Sequence, residues 1–148
     1  MFRYVLALLF SADRRRVVLI EKNRPAWQAG RVNALGGKLR GDETPQEAAR
    51  REVREEAGVD VAAWERVLVW HDPVYTMHVV RAFDDAALGA RTAEDQRVFL
   101  AAVDALPANA IDNLQWLVPL ALDRDIAVPI DVRSAAAEGS GLTEPPPG

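Results

Sequence analysis

Hydrophobic and polar residues alternate along the chain in blocks that have the lengths of strands and helices. Six short apolar or β-branched runs predict β-strands, over residues 3–10, 17–20, 31–35, 64–70, 75–83 and 97–103. Two longer segments with helical spacing predict helices, over residues 45–57 and 113–123. A polar turn at Asp13-Arg14-Arg15 joins the first two strands, which predicts a hairpin. The order of strands, helix, strands and helix is typical of an α+β domain or an α/β/α sandwich around a mixed sheet.

Flanking residues mark the ends of the first helix. Thr44-Pro45-Gln46-Glu47 has the form of a capping box with proline at the first helical position, and Gly58 stands where a left-handed C-cap is common. Pro119 lies inside the second helical segment, which predicts a kink or a late start. Residues 131–148 are rich in Ala, Ser, Gly and Pro, so we expect a domain over 1–130 and a mobile tail over 131–148.

Composition narrows the chemistry that this chain can perform. The 148 residues are 49% hydrophobic and 27% charged, which indicates one globular domain, and the net charge of −4 argues against binding of nucleic-acid polymers. The absence of cysteine excludes disulfides, thiolate metal sites and cysteine nucleophiles. With only His71 and His78 present, a metal site should use oxygen ligands and hold Mg²⁺ or Mn²⁺.

The N-terminal segment allows two interpretations. No run approaches the roughly 20 apolar residues that span a bilayer. Residues 1–12 have a weak likeness to a signal peptide, but only one basic residue precedes the apolar run, so we favour a buried first strand. We therefore expect a cytoplasmic protein that does not contact membranes.

One helical face carries a cluster of acidic residues. At about 100° per residue, Glu52, Glu55 and Glu56 share a sector, and a separate stripe of small apolar residues would pack on the sheet. Like charges at this spacing cost about 0.2–0.5 kcal/mol per pair, and a divalent cation reverses the sign of that effect. The pattern favours metal-assisted attack of water on a phosphate ester or anhydride. The alternative is a solvated acidic face with salt bridges from neighbouring arginines.

The whole stretch Gly37–Val59 has a longer pattern. Its fixed positions are Gly37, Glu43, Arg51-Glu52-Val53, Glu55-Glu56 and Gly58-Val59, in the arrangement G-x5-E-x7-R-E-U-x-E-E-x-G-U with U aliphatic. This stretch resembles the Nudix box, and the chain is similar to the Nudix hydrolase family. The resemblance implies an α/β/α sandwich with a mixed sheet. It also implies cleavage of nucleoside diphosphates linked to another moiety, with Mg²⁺ or Mn²⁺.

The resemblance also implies roles for individual residues. Glu52, Glu55 and Glu56 would bind the metal, and the carbonyl of Gly37 would add a ligand. Arg51 would pair with Glu43 and hold the helix to the preceding loop. The base that activates water would be Glu52 or a residue outside the box. Glu94 and Asp95 are candidates for that second position, and the alternative for both is a solvated loop charge.

The flank from Gln28 to Lys38 resembles the MutT-type and oxidised-purine triphosphatase branch, in which G-R-W-N-x-x-G-G-K is common. Asn33 would read a base edge there, or else it is a polar turn or edge-strand residue. Lys38 would contact phosphate. Val32 stands where tryptophan is frequent.

The pair Asp112-Asn113 resembles the residues that precede the last helix in that branch. These side chains would read a purine, or else cap the helix. Ala110 and Ile111 stand where that branch sometimes has a stacking aromatic residue, while Trp27 and Trp116 are other aromatic candidates.

The sequence thus predicts a Mg²⁺-dependent hydrolase that converts a nucleoside triphosphate to the monophosphate and pyrophosphate. The alternative substrates are ADP-ribose, a dinucleotide polyphosphate or another nucleotide-linked diphosphate. A nucleotide-binding module without turnover is a third reading, disfavoured because no acidic residue of the box is missing. In each case the partner is a small nucleotide.

Overall fold

A computed structural model describes residues 1–135, and the helices and strands follow the predicted order with one addition. The elements are β1 (Phe2–Phe10), β2 (Arg16–Glu21), β3 (Val32–Lys38), α1 (Pro45–Ala57), β4 (Glu65–His71), β5 (Tyr75–Phe83), β6 (Val98–Ala102), α2 (Leu114–Leu122) and β7 (Ile130–Arg133). Single turns of 3-10 helix lie at Ala26–Gln28 and Asp85–Gly89. Neither α1 nor α2 is long and apolar enough to cross a membrane.

The strands form one seven-stranded sheet in the order β6-β2-β3-β1-β5-β4-β7. The central strand β1 runs antiparallel to β3 and parallel to β5, so the sheet is mixed. Side chains of β1 alternate between the two faces, because successive residues of a strand point in opposite directions. One set packs against α1 and the other against α2, which confirms the predicted α/β/α sandwich.

The ends of α1 agree with the sequence signals. The Thr44 hydroxyl accepts a hydrogen bond from the Glu47 amide at 3.1 Å, and the Glu47 carboxylate accepts one from the Thr44 amide at 3.0 Å. Gly58 has φ 69° and ψ 19°, the left-handed conformation expected at the C-terminus of the helix. Buried alanines and Val53 hold α1 on the sheet. The orientation of its acidic face is therefore fixed by packing.

Three local predictions need correction. The β1–β2 hairpin is reduced to one pair, Phe10 with Val17, because β3 lies between these strands and pairs with both. The second helix does not start late, since it begins at Leu114 and continues through Pro119. Strand β7 was missed; it pairs with β4 and crosses the boundary expected between residues 130 and 131. Most of the expected tail, residues 136–148, lies outside the described residues.

Candidate active site

The candidate site lies where β3 ends beneath the acidic face of α1. A Cβ placed on Gly37 would come within 2.5 Å of the Glu52 Oε1 atom, so the carboxylate fills the space that glycine leaves open. The Gly36 amide donates a hydrogen bond of 2.9 Å to Oε1 of Glu56. These two contacts bring the glycine strand and two of the predicted acidic residues together.

Arg51 connects the acidic residues of α1 with the loop before the helix. Its Nε and Nη2 atoms donate to the Glu43 carboxylate at 2.7 and 2.9 Å, and Nη2 also reaches the Lys38 carbonyl at 3.0 Å. Its Nη1 atom donates to Glu52 at 2.9 Å and to Glu55 at 3.3 Å. The Arg51 hydrogen bonds are the main reason that the pKa of Glu43 lies below its usual value. The structure therefore brings Arg51 and Glu43 together as expected from the sequence.

Burial changes the acidity of two of the carboxyl groups. Glu56 is 6% exposed, and burial raises its pKa to about 8, against the opposing hydrogen bond from Gly36. The Glu52 side chain is 13% exposed, and burial likewise raises its pKa although Arg51 acts in the opposite direction. Glu55 is more open and also pairs with Arg40. Two carboxylates are thus held in an environment that disfavours their negative charge.

Lys22 is a site residue that the sequence analysis missed. It follows β2, is 6% exposed, and has a pKa lowered first by burial, while Glu56 and Glu52 act in the opposite direction. Its backbone pairs with that of Gly30 and Arg31. A lysine at the end of a strand is ordinarily solvent-exposed, so no local pattern indicated that this ammonium group is buried beside the carboxylates.

The donor set suits a hard divalent cation. Glu52, Glu55 and Glu56 offer carboxylate oxygens, and Gly37 offers a carbonyl at the same end of the sheet. Within residues 1–135, no three carboxylate or imidazole groups are yet arranged around one point, and Arg51 engages two of the carboxylates. These carboxylates bring negative charges close together, and a bound cation would offset that repulsion.

A loop over residues 91–96 closes one side of the site. The Ala93 amide donates to the Glu56 carbonyl at 3.1 Å, and Glu94 is among the charges that raise the pKa of Glu56. Asp95 is engaged by Arg24 at 2.7 Å, and hydrogen bonds from Arg24 and Asn23 lower its pKa to about 2. Of the two loop acids, Glu94 is therefore the one left near the carboxylate cluster.

Asn33 and Lys38 point to opposite faces of the sheet, Asn33 to the α1 side with Ile20 and Lys38 to the α2 side with Tyr4. Asn33 is 2% exposed and lies in the interior strand β3, so it is neither a turn nor an edge residue. Its amide nitrogen donates to Gln28 at 3.1 Å, and its oxygen accepts from the Ala34 amide at 2.8 Å. The Lys38 ammonium group lies 4.7 Å from the centre of the Phe2 ring. This position is on the α2 side of the sheet, because Lys38 alternates with Gly37 along β3.

The pair before α2 is placed beside a basic and an aromatic residue. Asp112 accepts a hydrogen bond of 3.1 Å from Arg31. Asn113 is the N-cap residue of α2, yet its side chain makes no capping hydrogen bond, so the capping role is not observed. Its Oδ1 atom is buried and has no partner within residues 1–135. Trp116, one turn further along α2, lies 5.6 Å from Trp70 between ring centres.

Comparison with known proteins gives the family of this sandwich, in which an acidic helix lies over a glycine-ended strand. The NUDIX domain model matches residues 2–131, and the chain therefore belongs to that family as a MutT-like Nudix hydrolase. It is 28% identical over 128 residues to the oxidized purine nucleoside triphosphate hydrolase of Danio rerio, covering 81% of this chain and 80% of that protein.

Solved structures agree on the fold. A MutT structure from work on the Aliivibrio salmonicida and Vibrio cholerae proteins matches with a TM-score of 0.65 at 17% identity, covering 82% of this chain and 97% of that one. The MutT NUDIX hydrolase of Burkholderia pseudomallei matches with a TM-score of 0.66 at 21% identity, covering 80% and 96%. These similarities establish the shared sandwich.

Proposed function

We propose that this chain is a Mg²⁺-dependent pyrophosphohydrolase that converts a nucleoside or deoxynucleoside triphosphate and water to the monophosphate and pyrophosphate. The observation that carries the proposal is the approach of Glu52 to Gly37, with Glu56 buried beside it. Glu52, Glu55, Glu56 and the Gly37 carbonyl would hold the ion. A bound Mg²⁺ supplies Lewis-acid stabilisation of the charge on phosphate oxygens. The proposal places the enzyme in the cytoplasm, where nucleoside triphosphates are made and used.

Other side chains would position the helix, attract the phosphate and accept the proton from water. Arg51 and Glu43 fix the helix relative to the glycine strand, because the guanidinium group spans both elements. The buried Lys22, whose charge interacts with Glu56 and Glu52, would attract a phosphate group. Either Glu52 or Glu94 would accept the proton from the attacking water, since Asp95 is already paired with Arg24.

The candidate residues for base recognition differ in part from those of the MutT-type branch. The unpartnered Oδ1 atom of Asn113 and the exposed ring of Trp116 favour a base contact at the start of α2. Both polar atoms of the Asn33 amide already form hydrogen bonds, to Gln28 and Ala34, so Asn33 is a weaker candidate for contacting the base. The name of the Danio rerio relative favours a purine, and a purine nucleotide is our first candidate.

A nucleotide panel with Mg²⁺ tests this proposal. We expect turnover of purine nucleoside triphosphates with one pyrophosphate released per monophosphate, and no inorganic phosphate. Turnover of ADP-ribose or a dinucleotide polyphosphate, with triphosphates left intact, would replace the proposed substrate. Tight nucleotide binding without any turnover would overturn the proposal altogether. Glu52→Gln and Glu94→Gln, compared by pH–rate profile, then separate the two proton acceptors.

A further inference from the structure

Among residues 1–135, no element covers part of the sheet on the side that carries α1. The helix packs mainly on β3 and β1, whereas β5, β4 and β7 continue the same face beyond it. Trp70, Met77 and Val132 point to the opposite, α2 side, so their neighbours along each strand point to the uncovered side. These neighbours are half-buried or exposed, which agrees with an open face.

Four side chains form a continuous row across this face. Arg3 of β1 pairs with Thr76 of β5, Thr76 pairs with His71 of β4, and His71 pairs with Arg133 of β7. We call these four residues the arginine row. With neighbouring strands about 4.8 Å apart, the row extends over roughly 14 Å.

Positive charge on this face is not balanced by acidic side chains of the described strands. Arg66 of β4 pairs in register with Val80, which belongs to the α1-side core, so it lies on the same face, on the far side of His78 from the row. Within residues 1–135, Arg3, Arg66 and Arg133 form no salt bridge. The acidic residue that β7 contributes, Asp131, is engaged by His71 at 2.9 Å.

His78 lies next to the row, and the same positive charges affect its pKa. Its Nδ1 atom is buried and has no partner within the described part of the chain. Burial, together with the charges of Arg3, Arg66 and His71, lowers the pKa of His78 to about 4. The guanidinium groups therefore lie close enough to oppose an additional positive charge.

We propose that the arginine row, together with Arg66, binds an oligophosphate anion on the open sheet face. Guanidinium groups match phosphate oxygens with paired hydrogen bonds. Three of them, on strands β1, β4 and β7, fit a ligand with several linked phosphates better than one small anion. The Thr76 hydroxyl donates to the Met1 sulfur at 3.3 Å and can still accept a hydrogen bond. This site goes beyond the proposed hydrolysis, and its charge is opposite to that of the carboxylate cluster.

Calorimetric titration of the full chain with inorganic tripolyphosphate in EDTA at low salt tests the site. Without a divalent ion the carboxylate cluster repels anions, so the measurement does not depend on hydrolysis. We expect saturable binding that weakens at least tenfold in the double variant Arg3→Ala/Arg133→Ala. The matched control is Arg14→Ala/Arg124→Ala, two exposed arginines beside Phe83, which should leave the affinity within twofold.

Three results would overturn the site: no saturable binding to the native chain, unchanged binding in the Arg3/Arg133 variant, or equal weakening in both double variants. Thermal unfolding and amide NMR spectra establish that the variants are folded. A parallel titration with ATP in EDTA distinguishes the source of the phosphates. Similar affinity for both ligands supports recognition of the phosphate chain, whereas binding of ATP alone contradicts it.

Discussion

Oε1 of Glu52 lies 2.5 Å from the position that a Cβ of Gly37 would occupy, so the carboxylate and a side chain at residue 37 exclude each other. Glycine is therefore needed at this position for a steric reason, whatever its backbone conformation. The sequence pattern contains both residues, but only the fold shows that one makes room for the other.

Gly37→Ala should displace the Glu52 carboxylate and reduce Mg²⁺-dependent turnover by on the order of 100-fold, as expected for a misplacement of about 1 Å at a reacting site. The accompanying loss in unfolding free energy should be about 1–2 kcal/mol. Steady-state kinetics and urea unfolding measure the two effects. The control is Gly89→Ala, where the new methyl group meets Val59 at an ordinary 3.8 Å. Equal activities for the two variants would contradict the steric argument.

Glu56→Gln should abolish the stabilisation by Mg²⁺ as well as turnover. In EDTA at neutral pH the variant should be at least as stable as the native chain, because burial disfavours the Glu56 charge and a glutamine oxygen can still accept from Gly36. Thermal unfolding with and without Mg²⁺ checks this. Glu21→Gln, at an exposed acid paired with Arg97, serves as the control that keeps the Mg²⁺ response. A response to Mg²⁺ retained by Glu56→Gln would remove this residue from the metal site.

The helix of the site was predictable because its signals are local. The capping box, the glycine stop and the small apolar stripe lie within one segment, and together they gave the bounds 45–57. Strand β7 was not predictable in this way, since Ile130–Arg133 is short, lies at the sheet edge and depends on pairing with β4. The position of β3 between β1 and β2 likewise depends on long-range pairing.

The site residues also divide into those with a local sequence signal and those that depend on distant parts of the chain. The contact of Arg51 with Glu43 was implied by the resemblance to the Nudix box, and Glu43 lies only two residues before the capped helix. The burial of Lys22 depends on distant elements and left no local signal. The sheet face to which Lys38 points could have been predicted, because Lys38 and Gly37 alternate along one strand. The predicted strand ended at residue 35, whereas β3 continues to Lys38.

Arg51→Lys should destabilise the chain by about 1–2 kcal/mol, because lysine cannot make the paired hydrogen bonds to Glu43 and also reach Glu52. The neighbouring Arg50 provides a matched control, since it forms a similar paired contact with Asp60 on an exposed surface. Arg50→Lys should cost clearly less than Arg51→Lys, because solvent screens the exposed pair. Urea unfolding in EDTA measures both variants without interference from the metal. Similar costs for the two would mean that the Arg51 cluster adds no stability beyond a surface ion pair.

Lys22→Met should lower kcat/KM for a nucleoside triphosphate by at least tenfold, whereas Lys38→Met should change it by less than twofold. The reason is placement: the Lys22 ammonium group is buried beside Glu56 and Glu52, while that of Lys38 lies over Phe2. Steady-state kinetics on the two variants decide between the lysines as phosphate contacts. A larger effect at Lys38 would restore the role expected from the sequence and contradict the one inferred from the fold.

His78 should make the stability of the chain fall as the pH is lowered from about 7 to about 4. Its folded pKa, about 4, lies below the ordinary value of 6.5, so the unfolded chain binds the extra proton first. The stability contribution is therefore present above pH 6.5 and is lost as the pH falls through this window. Because the ring is only half-buried, we expect the loss to be about 1–2 kcal/mol.

Urea unfolding at pH 7 and pH 4.5 measures this contribution as the difference between the native chain and His78→Gln, which has no imidazole to protonate. The variant should lose less stability between the two pH values than the native chain. An unchanged pH dependence in His78→Gln would contradict the lowered pKa that burial, Arg3 and Arg66 give this imidazole.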